Sequence, residues 1–175
     1  MSEPARCHDG RGSTHATDHP ELWFDTQSEE AAEFYCSVFP RSKVASVSYY
    51  GDAGPRDKGM VLTVDFELDG HPFTAINGGP DFTFNEAVSF MIKCEDQDEV
   101  DYYWTALTEG GGEEGPCGWL KDRYGLSWQV APEELDRLLA DPDDGRAQRA
   151  MSAMLGMKKL DIAELRAAAD ATASP

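Results

Sequence analysis

Gly118-Trp119-Leu120-Lys121-Asp122-Arg123-Tyr124-Gly125-Leu126-Ser127-Trp128-Gln129-Val130 reads as a strand, a tight polar turn and a second strand. Asp122 to Gly125 carries the turn chemistry, because Asp hydrogen-bonds nearby backbone and Gly takes positive φ without steric cost. The flanks are aromatic and β-branched, as hairpin strands are. Glu113 to Pro116 is a loop leading into this hairpin. Before it, Gly110-Gly111-Gly112 ends a helical stripe of Val100, Tyr103, Trp104 and Leu107. Asp96 and Glu99 have capping-box spacing at its start. Val88 to Cys94 reads as the strand before the helix, with Val88, Phe90 and Ile92 alternating.

The same order occurs once before. Glu21 to Asp25 is a short strand, and Thr26 with Glu29 has capping-box spacing. Ala31, Ala32, Phe34, Tyr35, Val38 and Phe39 then follow a helical face that Pro40 ends. Lys43 to Tyr50 and Met60 to Leu68 read as strands around a Gly/Pro/charge loop. Asp69-Gly70 is a hairpin turn into a strand from Pro72 to Asn77, and Gly78-Gly79-Pro80 breaks the chain. A strand–helix–strands unit therefore repeats after about 65 to 70 residues, as architecture rather than as sequence identity. After Pro132 only short helices are predicted. Leu135, Leu138 and Leu139 share one face, Ala147, Ala150, Met151, Met154 and Leu155 a second, and Asp161 with Glu164 caps a third. The predicted organisation is a disordered leader at 1–18, modules at 19–80 and 81–132, and C-terminal helices at 133–175.

Charge and composition narrow the function. Thirty-three acidic against 15 basic residues among 175 give a formal charge of -18. That field repels phosphate backbones and anionic membrane surfaces, so neither nucleic acid nor membrane is an expected partner. No apolar run approaches the roughly 20 residues needed to span a bilayer, and the N-terminus has no apolar signal segment. Cys7, Cys36, Cys94 and Cys117 form no CxxC pair, which fits reduced thiols and a cytoplasmic address. Cys94 and Cys117 have no nearby His to activate them, so each is read as a small buried hydrophobe.

The duplicated unit resembles the vicinal oxygen chelate superfamily, which includes glyoxalase I, bleomycin-resistance proteins and extradiol dioxygenases. Within it the chain is similar to the PhnB-like branch, often labelled demethylubiquinone methyltransferase. The motifs are Leu22-Trp23-Phe24-Asp25 before Ala31-Ala32-Glu33-Phe34-Tyr35, Asn77-Gly78-Gly79-Pro80 before Phe82, and Phe84-Asn85-Glu86-Ala87. They continue with Val100-Asp101-Tyr102-Tyr103-Trp104, Cys117 to Asp122, Leu126 to Gln129, and Asp141-Pro142-Asp143 through Met154 to Ile162. The resemblance implies an α+β fold in which two βαβββ modules form curved mixed sheets around a cleft, with a helical C-terminal extension. Metal-using members carry ligands on the first and last strands of each module. Transferred here, those positions fall near Pro20 or Leu22, then on Phe73, Ser89 and Gln129. This is not a set of His and carboxylate ligands, so no metal and no other cofactor is expected. His71, at a hairpin tip, is read as exposed. Methyl transfer on a nucleotide fold would need a Gly-rich turn after a first parallel strand, and neither glycine cluster follows that pattern.

Strand alternation points Leu22, Phe24, Phe73, Ala75, Asn77, Ser89, Met91 and Gln129 into the cleft, with Trp119 or Trp128 as a stacking face. Asn77 and Gln129 are the polar recognition candidates. The leading expectation is a small-molecule-binding protein without a catalytic metal, acting by sequestration or sensing, as a homodimer. The alternatives are a metal-independent enzyme, including the methyltransferase of the label, and a structural module whose cleft is filled by its own side chains.

Overall fold

Thirteen elements follow one another in the computed structural model, which describes residues 18–171. The expected leader lies almost wholly outside them. The first module contains β1 (Glu21–Phe24), α1 (Ser28–Val38), β2 (Lys43–Tyr49), β3 (Val61–Leu68) and β4 (His71–Asn77). The second contains β5 (Phe90–Cys94), α2 (Gln97–Thr108), β6 (Glu113–Glu114), β7 (Trp119–Lys121) and β8 (Ser127–Pro132). Three further helices follow: α3 (Glu133–Leu139), α4 (Asp144–Leu155) and α5 (Ile162–Asp170). The sheets have the same topology, β1-β4-β3-β2 and β5-β8-β7-β6. In each, the first strand runs parallel to the last and the other pairs are antiparallel. This is the α+β duplication expected from the sequence.

Each helix covers one face of its sheet. Beneath α1 lie Leu22 and Phe24 of β1, Val64 and Phe66 of β3, and Phe73, Ala75 and Asn77 of β4, all buried. Tyr35 of α1 stacks on Phe66, with ring centroids 6.3 Å apart. Burying one such aromatic or aliphatic side chain is worth roughly 1.5–3 kcal/mol. In the second module Val100, Trp104 and Leu107 of α2 share a core with Leu120, Trp128 and Val130. That core is continuous with the first, because the helices lie on the sides by which the modules meet. Phe39 stacks between Tyr103, at 5.3 Å, and Trp128, at 5.2 Å.

A buried carboxylate ties the modules together. Asp122 accepts from Tyr35 Oη and Trp128 Nε1, each at 2.8 Å, and from the backbone N–H groups of Tyr124 and Leu126. The Asp-to-Gly turn is thus built as expected, and its carboxylate also reaches across to α1. Burial pushes the Asp122 carboxyl above the ordinary range, against the four hydrogen bonds that favour its ionised form. Burial, and next the charge of Asp122, pushes the Tyr35 phenol well above its usual range.

Helix starts depart in one case from the expected chemistry. Asp96 caps α2 through Glu99 N at 3.0 Å, while Glu99 Oε2 takes Glu95 N at 2.8 Å. Thr26 and Glu29 do not cap α1. Its N-cap is Gln27, which makes no side-chain cap bond. The first-turn N–H of Ser28 is instead taken by Asn77 Oδ1 at 2.9 Å, from the end of β4. A side chain distant in sequence satisfies a helix terminus that local residues leave open.

The C-terminal helices enclose a second small core of Leu135, Leu138, Ala150, Leu160, Leu165 and Ala169. They are attached through backbone, Cys117 N donating to Met157 O at 2.8 Å and Gly118 N to Lys158 O at 2.7 Å, and through side chains, Gln97 donating to Leu160 O and accepting from Ile162 N. Gly118 has φ 83°, and a Cβ there would sit 2.7 Å from Val130 O, so glycine is required. Of the stripe expected on α4, Ala150 is buried and Met154 half-buried, while Met151 and Leu155 face solvent.

Candidate functional site

A cavity lies where the modules meet. It has a volume of about 600 Å³ and a floor of Phe39, Phe73, Phe90, Tyr103 and Trp128, with His19, His71 and Lys93 at its rim. The floor rings brace one another: Phe73 meets Phe90 edge-on at 5.4 Å, and Phe90 leans on Trp128 at 5.5 Å. Lys93 is held by Asp136 of α3 at 2.5 Å. His19 Nε2 lies 2.9 Å from Thr74 Oγ1, which donates to Asp65 Oδ1 at 2.8 Å. Hydrogen bonds from Ser46 and then Thr74 hold the Asp65 carboxyl below its usual range.

The residues expected to face the cleft separate into three groups. Phe73 and Met91 line this cavity. Leu22, Phe24, Ala75 and Asn77 do not, and here the structure corrects the assignment. They lie on the α1 side of the first sheet and are buried in the core. Asn77 illustrates the reason, since both ends of its amide serve the scaffold: Oδ1 accepts from Ser28 N, and Nδ2 donates to Val61 O at 3.0 Å. Tyr50 Oη also donates to the Asn77 carbonyl at 2.8 Å. The apolar set of an alternating strand seeks the helix, so the opposite set, with Glu21, Trp23 and Thr74, forms the outer face.

Ser89, Trp119 and Gln129 form the third group, together on the outer face of the second sheet. Gln129 pairs with Met91 on one side and Trp119 on the other. Its Nε2 donates to Ser89 Oγ at 2.8 Å. Met91 is 51% exposed and borders both this face and the inter-module cavity. Phe39, Phe90 and Tyr103 were missed as cavity residues. Phe39 and Tyr103 lie on helical stripes that read as core, and Phe90 alternates with the expected cleft residues Ser89 and Met91.

The positions that hold metal in related folds do not fit an ion. Phe73 is stacked on Phe66 at 5.4 Å, and Ser89 and Gln129 are bonded to each other. Among the described residues, no three His, Cys, Asp or Glu side chains converge in a way that could hold a metal ion. Cys94 is fully buried and its thiol is pushed up to about 12, first by burial and then by Glu99 and Asp96, so it is no nucleophile at neutral pH. Cys117, expected to be buried, is half-buried with φ 57°.

Two βαβββ modules with parallel outer pairs define a vicinal oxygen chelate protein of the PhnB-like kind. The family described as 3-demethylubiquinone-9 3-methyltransferase matches residues 17–131, and the chain belongs to it. A PhnB protein from Bacillus cereus is 33% identical over 66% of this chain and 98% of its own, with a TM-score of 0.59. A protein from Pseudomonas aeruginosa shares the fold at 20% identity and a TM-score of 0.57, over 68% of this chain and 98% of its own. No curated protein sequence matches. The helices α3 to α5 lie beyond the family match.

Proposed function

We propose that this chain binds a small molecule in the cleft between its modules, without a catalytic metal, and acts by sequestration or sensing. The observation that carries this is the cavity itself. At about 600 Å³ with an aromatic floor and a sparse polar rim, it has the size and character of ligand pockets. The family description names methyl transfer, but the glycine clusters argue for binding instead. Gly78-Gly79 follows β4 and the run from Gly110 to Gly112 follows α2. Neither opens a helix after a parallel strand, where a nucleotide phosphate or sulfonium cofactor would be cradled.

Native mass spectrometry of the full chain as isolated from its own cells tests the reading. A retained small molecule is expected in the wild type and none in Met91→Arg, which blocks the cleft mouth at a half-exposed position and leaves the melting temperature unchanged. Retention by both proteins, or by neither after incubation with a metabolite extract, would overturn it. Methyl transfer detected with a quinone-type phenol and a methyl donor would favour the enzymatic alternative.

We further propose a homodimer. The outer sheet faces and linker expose Tyr49, Phe82, Val88 and Met91, and no helix among the described residues covers them. Sedimentation at rising concentration should give twice the chain mass, and a monomer mass throughout would count decisively against pairing. No helix among the described residues is long and apolar enough to cross a membrane. Three free cysteines among them support a cytoplasmic address.

A further inference from the structure

A second pocket, of about 410 Å³, opens over the β6–β7–β8 edge, away from the inter-module cleft. The strand register fixes its contents. Glu113 pairs with Lys121, and Lys121 with Ser127, so the three side chains form one row across three strands on the outer face. Trp119, two residues before Lys121, stands in the next row on the same face and lines the pocket with them. Glu86, from the linker between the modules, reaches over and binds Lys121 Nζ at 2.5 Å. Lys121 therefore faces two carboxylates, one bound and one opposite, and the pocket keeps an excess of negative charge. Beneath lies the Ser127 hydroxyl. Ser127 is 1% exposed, and its Oγ has no hydrogen-bond partner among the described residues.

A buried hydroxyl without a partner is costly, and native structures rarely leave one so. Ser127 lines the pocket, so a ligand that enters against this residue and displaces its close neighbours can satisfy the hydroxyl. The carboxylate excess, within a chain of net charge -18, selects a cation over an anion. The indole of Trp119 offers an apolar and cation-attracting face. We propose that this pocket takes a small organic ammonium ion. Its ammonium group donates to Ser127 Oγ and to the Glu113 carboxylate, and its hydrocarbon body lies against Trp119. The Glu86–Lys121 pair flanks the site and keeps Lys121 from neutralising Glu113.

Titration of the full chain with benzylammonium chloride, followed by calorimetry and by the fluorescence of its tryptophans, tests this. Benzyl alcohol and sodium benzoate are the neutral and anionic controls. Saturable binding of benzylammonium alone is expected. Glu113→Gln, at an exposed position that tolerates change, and Ser127→Ala should each weaken it about 5- to 150-fold, the range of a lost hydrogen bond to a buried or charged group. Glu86→Gln should also weaken it, by releasing Lys121 towards Glu113. Met91→Arg, which closes the inter-module cleft, should leave it unchanged, so the two pockets fail or succeed separately. Equal binding of benzyl alcohol or benzoate would overturn the proposal. So would affinity indifferent to Glu113→Gln, or no saturable binding at all.

Discussion

The two modules share one topology and treat it differently. In the first, the helix start is completed from a distance by Asn77, and the outer sheet face is a field of hydroxyls and acids around Asp65. In the second, the helix caps itself through Asp96, and the outer face carries Trp119, Met91, Gln129 and Lys121. The first module thus lends the cleft its aromatic rings Phe39 and Phe73, while Asn77, Thr74 and Asp65 serve to hold the module together. The second keeps polar and aromatic groups on an open face, and it borders both pockets proposed to bind ligands. A duplicated fold need not duplicate its chemistry, because topology fixes where side chains point and not what they are.

The largest effect is expected at the point where the modules join. Asp122→Ala removes the acceptor for Tyr35 Oη, Trp128 Nε1 and two backbone N–H groups. Leaving several donors buried without partners should cost on the order of 3–5 kcal/mol. Urea unfolding measures it, and a loss under about 1 kcal/mol would show that the modules hold together without this link. The pH dependence has a definite sign. Burial raises the folded-state value of Asp122 above its ordinary one. Its contribution is therefore fully present below the ordinary carboxylate range and falls as pH rises through the raised value. The stability of wild type relative to Asp122→Asn should shrink from pH 4 to pH 7.

A smaller effect separates scaffold from recognition. Asn77→Leu strands Ser28 N–H and the Val61 carbonyl, and should destabilise the chain by about 1–3 kcal/mol while leaving ligand affinity unchanged in the folded fraction. Gln129→Leu acts on the half-buried outer face, where only the Ser89 hydroxyl loses a partner. It should alter the melting temperature far less than Asn77→Leu. Thermal melts of both variants decide the matter, and equal shifts would erase the distinction between the modules.

How much of this the sequence carried depends on the range of the signal. The hairpin around Asp122-Gly125, the duplicated order and the caps at Asp96 and Asp161 are local patterns, and the structure has them. The facing of the first sheet was not local. β1 reads Glu-Leu-Trp-Phe, with a large apolar residue on each side, so alternation alone cannot say which side meets the helix. The buried hydroxyl of Ser127 was equally hidden. A lone serine in a strand gives no sign that its neighbours across the sheet are Lys121 and Glu113.

The smallest expected effect probes the helix starts themselves. Asp96→Ala removes the acceptor for Glu99 N, at an N-cap whose side chain makes the bond, and should cost about 1 kcal/mol. Thr26→Ala alters a residue with the same sequence signature at the other module, yet no hydroxyl bond of Thr26 caps α1. Its cost should stay within about 0.5 kcal/mol, as for a surface substitution away from any specific interaction. The capping-box spacing is the same in both, so the difference isolates what Asn77 does from across the sheet. Should Thr26→Ala cost as much as Asp96→Ala in denaturant unfolding, α1 would be capped locally after all. Asn77 would then be free for another role.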